Sequence, residues 1–448
     1  MAIGRIFEDL AAARQALLEG RRLEETEPPE SLKVSIRRIF GEDVSPEAVV
    51  KRILDDVSRR GDAAVRDATR RIDGQDPGEL LVPAERIREA AARVSPALLA
   101  ALQAAAERIR LFHERARRTS WIDFLDGGAL GQLIRPLRRV GIYAPGGRAP
   151  YPSTLLMAAI PARVAGVSEI VLASPPQPNG EIAEVILAAA HVAGIGEVYR
   201  MGGAQAIGAL AFGTESVPRV DKICGPGNLF VALAKRAVFG AVGVDGLAGP
   251  TECLLIADAS ASPRYLAADL IAQAEHDPLA QPVLLVTDRA LAEATLDAME
   301  QLVEQAPRQE IIKQSLQNRG VVVIWPSVDD LIALANDYAP EHLTLCVADP
   351  WSRLEQVSNA GGIFVGDSSA EAIGDYIAGP SHIMPTGGSA RFSSPLGVDD
   401  FVKITSVFSF GTDEIARIGP PALEIARAEG LEGHAQAIEA RLEAGRAS

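Results

Sequence analysis

The sequence predicts an α/β protein built around parallel sheets, on three observations. From Arg138 onward, apolar runs rich in Val, Ile and Leu alternate with Ala-rich helical patterns, as in "RRVGIYAPGG", "STLLMAAIPARVAG", "EIVLASPP" and "EIAEVILAAAHVAG". The alternation resumes after "GLAGPTE" with "CLLIAD", "PVLLVTD", "VVVIWP" and "LTLCVAD", a helical stretch between each and the next, and then "GGIFVGD". A chain of 448 residues is also too long for one ordinary core, so two or more units are expected.

Taken in order, residues 1–30 read as one charged amphipathic helix that stops at the prolyl break "EETEPPE", an arm too polar for a core. Helices follow with clear starts at Ser45-Pro46-Glu47 and Ser95-Pro96, serine at the cap and proline in the first turn. The two α/β stretches come next. From about residue 396 a short β segment, "FVKITSVFSF", leads into helices that run to the end.

Composition narrows the partners. Apolar content of 48% with 23% charge belongs to a folded chain, and 59 acidic against 44 basic residues leave a net charge of −15. Such a field repels nucleic acid and anionic membrane. No stretch approaches the roughly 18 apolar residues of a membrane span, and the N-terminus has no signal-peptide pattern. Three cysteines suit a reducing compartment and cannot form a disulfide framework, so a cytoplasmic protein is expected. Cys224, Cys253 and Cys346 lie in apolar strand patterns, where cysteine behaves as a small hydrophobe.

In an α/β protein, ligands are expected outside the carboxyl ends of the strands. The loops there are rich in glycine: "YAPGGRAPYPST", "MGGAQAIG", "ICGPGN" and "LAGPTE". They suit either a dinucleotide phosphate or plain tight turns, and the full G-x-G-x-x-G fingerprint is absent because Phe230 stands at its third glycine. Of six histidines, His113 opens "HERAR", which lacks the second histidine of a zinc-protease motif. His113 and His191 sit in helical repeats and read as structural. Gln273 and His276 are three apart at a helix end and share a face. With Asp375 they could hold a divalent ion, zinc foremost, or simply be surface hydrogen-bonding groups. "NDYAPEHL" places Glu341 and His342 side by side after Pro340, either a catalytic pair or a histidine favoured by a helix C-terminus.

Together "VGIYAPGGRAPYPSTLLMAAIPA", "GGAQAIGALAFGTESVPRVDKICGPGN", "AGPTE", "AQAEHDP", "YAPEHL", "GDYIAGPSHIMPT" and "EGLEGH" resemble the histidinol dehydrogenases, in that family's order and from about residue 33 to the C-terminus. The resemblance implies two incomplete Rossmann-like parallel-sheet domains with an N-terminal helical arm (1–30) and a small C-terminal dimerisation tail (396–448). The first domain, on the metal and substrate side, would be 31–142 with 251–395. The second, 143–250, would take NAD.

The activity implied is zinc-dependent, NAD-linked oxidation of L-histidinol through L-histidinaldehyde to L-histidine, the last steps of histidine biosynthesis, in a homodimer whose tail completes the neighbouring site. Zinc ligands would be Gln273, His276, Asp375 and His434. Substrate contacts would be Thr251, Gln273, His276, His342, Asp375, His382, Glu429 and His434, and NAD contacts Tyr143, Gln205 and Asn228. Two positions depart from the common pattern: Thr251 replaces a serine but keeps the hydroxyl, and Gly433 replaces an alanine. The adjacent pair would then divide two oxidations, His342 taking the alcohol proton and Glu341 activating the water that hydrates the aldehyde.

Overall fold

The computed structural model describes residues 4–19, 21, 30–41, 43–125, 127–146 and 150–447. These form two compact units, one of residues 1–116 with 138–401, the other of 117–137 with 402–448.

The first unit contains two parallel sheets. The larger runs in the order Arg5–Phe7, Val321–Ile324, Gln281–Val286, Glu252–Ala257, His342–Cys346, Gly362–Val365. Every residue of its two strands Glu252–Ala257 and His342–Cys346 is buried, as a sheet covered on both faces requires. Alternate side chains serve opposite cores. Cys253, Leu255 and Ala257 pack with Leu266, Leu270 and Met299, whereas Leu254 and Ile256 pack with Leu331, Leu334 and Tyr338.

The smaller sheet is ordered Glu197–Arg200, Glu169–Ser174, Arg139–Tyr143, Lys222–Cys224, Gly243–Val244. Its core includes Val49, Val50, Ile53, Leu54 and Val57, from the helix Pro46–Arg60, against Ile207 and Leu210. Ser45 and Ser95 cap their helices as the sequence suggests, accepting from the amides of Ala48 and Leu98, each at 3.2 Å. The stretch 46–60, expected with the first domain, thus covers the smaller sheet, and the expected boundary at 142/143 falls inside the strand Arg139–Tyr143. Helical periodicity shows that a face is apolar but not which sheet it will cover.

The N-terminal stretch departs from the single helix expected of residues 1–30. Arg5–Phe7 is an edge strand of the larger sheet, and the helix is Leu10–Leu18, with Ala13 and Leu17 in the core beside Leu331 and Tyr338. Asp9 separates the two elements, its carboxylate accepting from the Ala12 amide at 2.7 Å. Arg14 is the one charged residue of this helix; the polarity of the stretch comes from the run "EGRRLEETEPPE" that follows it. The break "EETEPPE" lies outside the described residues up to Pro29.

The second unit is a three-stranded antiparallel sheet, Val402–Phe410, Gly128–Pro136, Trp121–Leu125 in that order, with the helices Thr412–Ala428 and Glu432–Ala447 packed on each other. The expected tail, 396–448, therefore begins at Val402 as a unit and draws in 117–137. Phe124 and Phe408 on its strands are 84% and 69% exposed. Among the described residues no helix is long and apolar enough to cross a membrane.

Candidate active site

Glu341 and His342 owe their placement to the end of a helix. The helix Val328–Tyr338 stops where Ala339 adopts φ 51° and ψ 67°, and Pro340 cannot resume it. His342 then opens a strand, paired with Cys253 on one side and Gly362 on the other. The pair therefore lies at the amino ends of the central strands, not at the carboxyl ends where α/β proteins commonly bind ligands. Gln273 reaches the same place for a related reason. It closes the helix Pro263–Ala274, and a helix between parallel strands returns the chain to their amino edge.

A dense polar cluster results. The Thr251 hydroxyl donates to Glu341 Oε2 at 2.7 Å, and the Glu252 amide donates to the same oxygen at 3.0 Å. The Glu252 carbonyl accepts from His342 Nδ1 at 3.0 Å, which fixes a proton on that nitrogen. Nε2 is then the ring atom that can exchange a proton with a ligand. It is buried, has no hydrogen-bond partner among the described residues, and faces Asp375 Oδ1 at 3.6 Å. Gln273 Nε2 lies 3.1 Å from His342 Nδ1, and Phe364 stacks on the imidazole with centroids 6.0 Å apart.

Burial pushes the Glu341 carboxyl up to about 7, against the pull of His342 and the two donors. Burial opposes charge on His342 as well, but Glu341, Asp375 and Glu371 outweigh it and raise the imidazole to about 10. The two groups titrate as a coupled pair.

Glu371 is a member that the sequence did not reveal. Buried in the helix Glu371–Tyr376, it accepts from Cys253 Sγ at 3.0 Å, Thr344 Oγ1 at 3.1 Å and Gln273 Nε2 at 3.4 Å. A lone glutamate three residues before "GDY" carries no local signal.

His276 lies just beyond the helix of Gln273, its amide bonded to the Gln273 carbonyl at 3.2 Å; burial lowers the pKa of its imidazole, against the opposing pull of Asp375. His382 donates from Nδ1 to the Asp375 carbonyl at 2.6 Å, so its Nε2 accepts from Thr154 Oγ1 at 3.0 Å. Gln273, His276, His342, Asp375 and His382 are thus gathered with Thr251 in the first unit. Glu429 and His434 belong to the second unit, both exposed, Glu429 closing one helix and His434 near the start of the next.

Among the described residues no three of His, Cys, Asp and Glu form a metal-holding group. The available donors, an amide oxygen, an imidazole and a carboxylate from Gln273, His276 and Asp375, nonetheless suit a borderline divalent ion short of one further ligand. The orphaned Nε2 of His342 beside Asp375 marks a place that a ligand would complete.

Tyr143, Gln205 and Asn228 follow strands of the smaller sheet at their carboxyl ends. Tyr143 is buried, its hydroxyl accepting from the Gly203 amide at 3.2 Å, and burial raises that phenol to about 12. Gln205 is fully buried with neither amide atom hydrogen-bonded among the described residues, an unmet demand that fits a polar ligand. Asn228 is exposed, and its oxygen caps the helix Leu229–Val238, accepting from Phe230 and Val231 amides. Gly225, at φ 112°, packs where a Cβ would strike the Tyr143 carbonyl, so only glycine permits this turn. Residues 147–149 of "YAPGGRAPYPST" lie outside the described residues. All three cysteines are buried, and burial raises their thiols, as the small-hydrophobe assignment requires.

Comparison with known proteins agrees across the chain. A family model described as histidinol dehydrogenase matches residues 39–442. The histidinol dehydrogenase of Deinococcus radiodurans is 52% identical over 434 residues, covering 96% of this chain and 98% of its own. That of Pseudomonas aeruginosa is 48% identical over 408 residues, covering 90% and 92%. The crystal structure of histidinol dehydrogenase from Elizabethkingia anophelis superposes with a TM-score of 0.88 at 35% identity, covering 99% of both chains.

Proposed function

The chain belongs to the histidinol dehydrogenase family of oxidoreductases of histidine biosynthesis, and on that premise we propose that it oxidises L-histidinol to L-histidine in two NAD-linked steps at one carbon. In the first, the alcohol loses its proton and a hydride, giving L-histidinaldehyde, NADH and a proton. The aldehyde adds water, and the resulting diol loses a second hydride and proton, giving L-histidine and a second NADH.

The single observation that carries this is the buried pair, Glu341 held by Thr251 and the Glu252 amide, His342 presenting an unpartnered Nε2. His342 Nε2 takes the alcohol proton, while the Glu252 carbonyl keeps Nδ1 protonated and the ring oriented. Glu341, raised by burial toward neutrality, accepts the proton of the water that attacks the aldehyde. Glu341 foremost, then Asp375 and Glu371, favour the imidazolium that forms when His342 accepts the alcohol proton.

Gln273, His276 and Asp375 would hold zinc, with the partner subunit's His434 as the remaining ligand. Bound there, zinc would grip the substrate's imidazole and amino nitrogens and fix the reacting carbon. Glu429, His382 and Thr251 would complete the substrate site, and Tyr143, Gln205 and Asn228 would meet NAD. The homodimer is supported by the apolar exposure of Phe124 and Phe408, a surface that a second copy would cover. A cytoplasmic setting accords with three buried free thiols.

The test is NADH formation by the purified protein with L-histidinol, repeated with other amino alcohols. Two NADH per histidinol, and little from the others, is the expected result. Turnover of a different alcohol in preference would replace the substrate assignment.

A further inference from the structure

The turn that delivers Glu341 and His342 is secured by a residue from the far N-terminus. Arg21 is buried, and its guanidinium donates from Nη1 to the carbonyl of Tyr338, the last residue of the helix Val328–Tyr338. That carbonyl has lost its helical partner because Ala339 leaves the helix with positive φ, the only non-glycine to do so among the described residues. The cation also sits at the negative end of the helix dipole. Its Cζ lies over the Tyr338 ring, 3.5 Å from the centroid, while the Tyr338 hydroxyl donates to Gln281 at 2.6 Å.

The other arm of the same guanidinium, Nη2, pairs with Glu252 Oε2 at 2.7 Å, both side chains about 95% buried. Glu252 Oε1 accepts from the Gly387 amide at 3.0 Å. Glu252 is the residue whose backbone amide holds Glu341 and whose carbonyl holds His342. Arg21 therefore grips both sides of the pair: the helix end before it and the strand residue bonded to it. Lysine donates from a single nitrogen on a flexible stem and lacks the fixed planar fork whose two arms reach these two acceptors.

We propose that Arg21 is a positioning residue for the oxidation, locking the Tyr338–His342 turn to Glu252 so that the two proton-transfer groups keep one arrangement. The proposal rests on the assignment of Glu341 and His342 made above, but it concerns a residue that touches neither of them.

Removing Arg21 alone would strand the buried Glu252 carboxylate and could unfold the chain. Two variants avoid this: Arg21→Lys, which keeps the charge, and Arg21→Met with Glu252→Gln, which removes both charges together and leaves the Glu252 backbone in place. Melting temperatures establish folding, and kcat with L-histidinol is measured alongside KM for NAD. A displacement of catalytic groups near 1 Å costs on the order of 10²-fold, so kcat should fall by about that factor in the double variant and less in Arg21→Lys. KM for NAD should be unchanged. A folded double variant with wild-type kcat overturns the proposal, as does a kcat loss matched by an equal rise in KM for NAD, which would indicate general loosening. Wild-type protein inert toward histidinol would overturn the functional assignment instead. The crystal structure of the double variant then decides: a shifted Ala339–His342 backbone supports the tether, and an unshifted one overturns it.

Discussion

The Thr251 hydroxyl and the Glu341 carboxylate, ninety residues apart in sequence, meet at 2.7 Å, because the strands they open, Glu252–Ala257 and His342–Cys346, lie side by side. The contact explains how a carboxylate survives in a buried place. The threonine and the Glu252 amide give back part of the solvation that burial takes away.

Thr251→Val keeps the shape and removes the donor. A hydrogen bond to a charged group contributes roughly 1.5–3 kcal/mol, so the histidinaldehyde step should slow by about one to two orders of magnitude. Thr251→Ser should stay within a few-fold of wild type. Steady-state oxidation of added histidinaldehyde measures both, and a valine variant with full rate would remove Thr251 from the second step.

Chelation should abolish activity, and zinc or a similar divalent ion should restore it. Metal content by mass spectrometry should fall in Asp375→Ala and His276→Ala protein. Full turnover in a preparation shown to be metal-free would contradict a metal-assisted site.

If the partner subunit's His434 completes each site, two inactive variants should complement each other. In a His434→Ala and His276→Ala heterodimer one site carries both defects and the other neither. About half the wild-type activity is expected, against near zero for either homodimer. Verified heterodimers without activity would confine each site to one subunit.

His113 provides a test of stability against pH. It is buried in the helix Pro96–Glu114, its Nε2 unbonded among the described residues, and burial lowers its pKa from 6.5 to about 4. The folded chain therefore prefers the neutral ring. The stability this residue contributes is complete above pH 6.5 and declines as pH falls toward 4, by up to about 3 kcal/mol. Denaturant titrations at pH 7 and pH 4.5 should show a smaller acid loss in His113→Leu than in wild type. Equal losses would mean that His113 charges without penalty.

Much of this architecture was legible in the residues. The all-buried strands read as continuous apolar runs, Ser45 and Ser95 announced their helices, and Pro340 marked the break that brings Glu341 beside His342. Glu371, Glu252 and Arg21 were not legible, since their importance lies in contacts between distant segments, 98 residues apart for Glu371 and Gln273 and 231 for Arg21 and Glu252. The strand Arg5–Phe7 is too short to show a period of two, and it forms only because Val321–Val323 offer an open edge. The amino-edge location of the pair was missed for a topological reason. Sequence order shows that a helix follows a strand, but a residue at the helix's end is carried back to the opposite edge of the sheet.

The division of labour between Glu341 and His342 is the central claim, and single-turnover NADH formation from histidinol, set beside steady-state oxidation of added histidinaldehyde, tests it most directly. Losing general-base help lowers a rate by roughly 10²–10⁴-fold. In Glu341→Gln the first hydride transfer should persist while the aldehyde step falls by about that factor. In His342→Asn the first hydride transfer should itself be slowed. If Glu341→Gln slows the first hydride transfer as much as the second, the two groups act as one coupled base and the division is refuted.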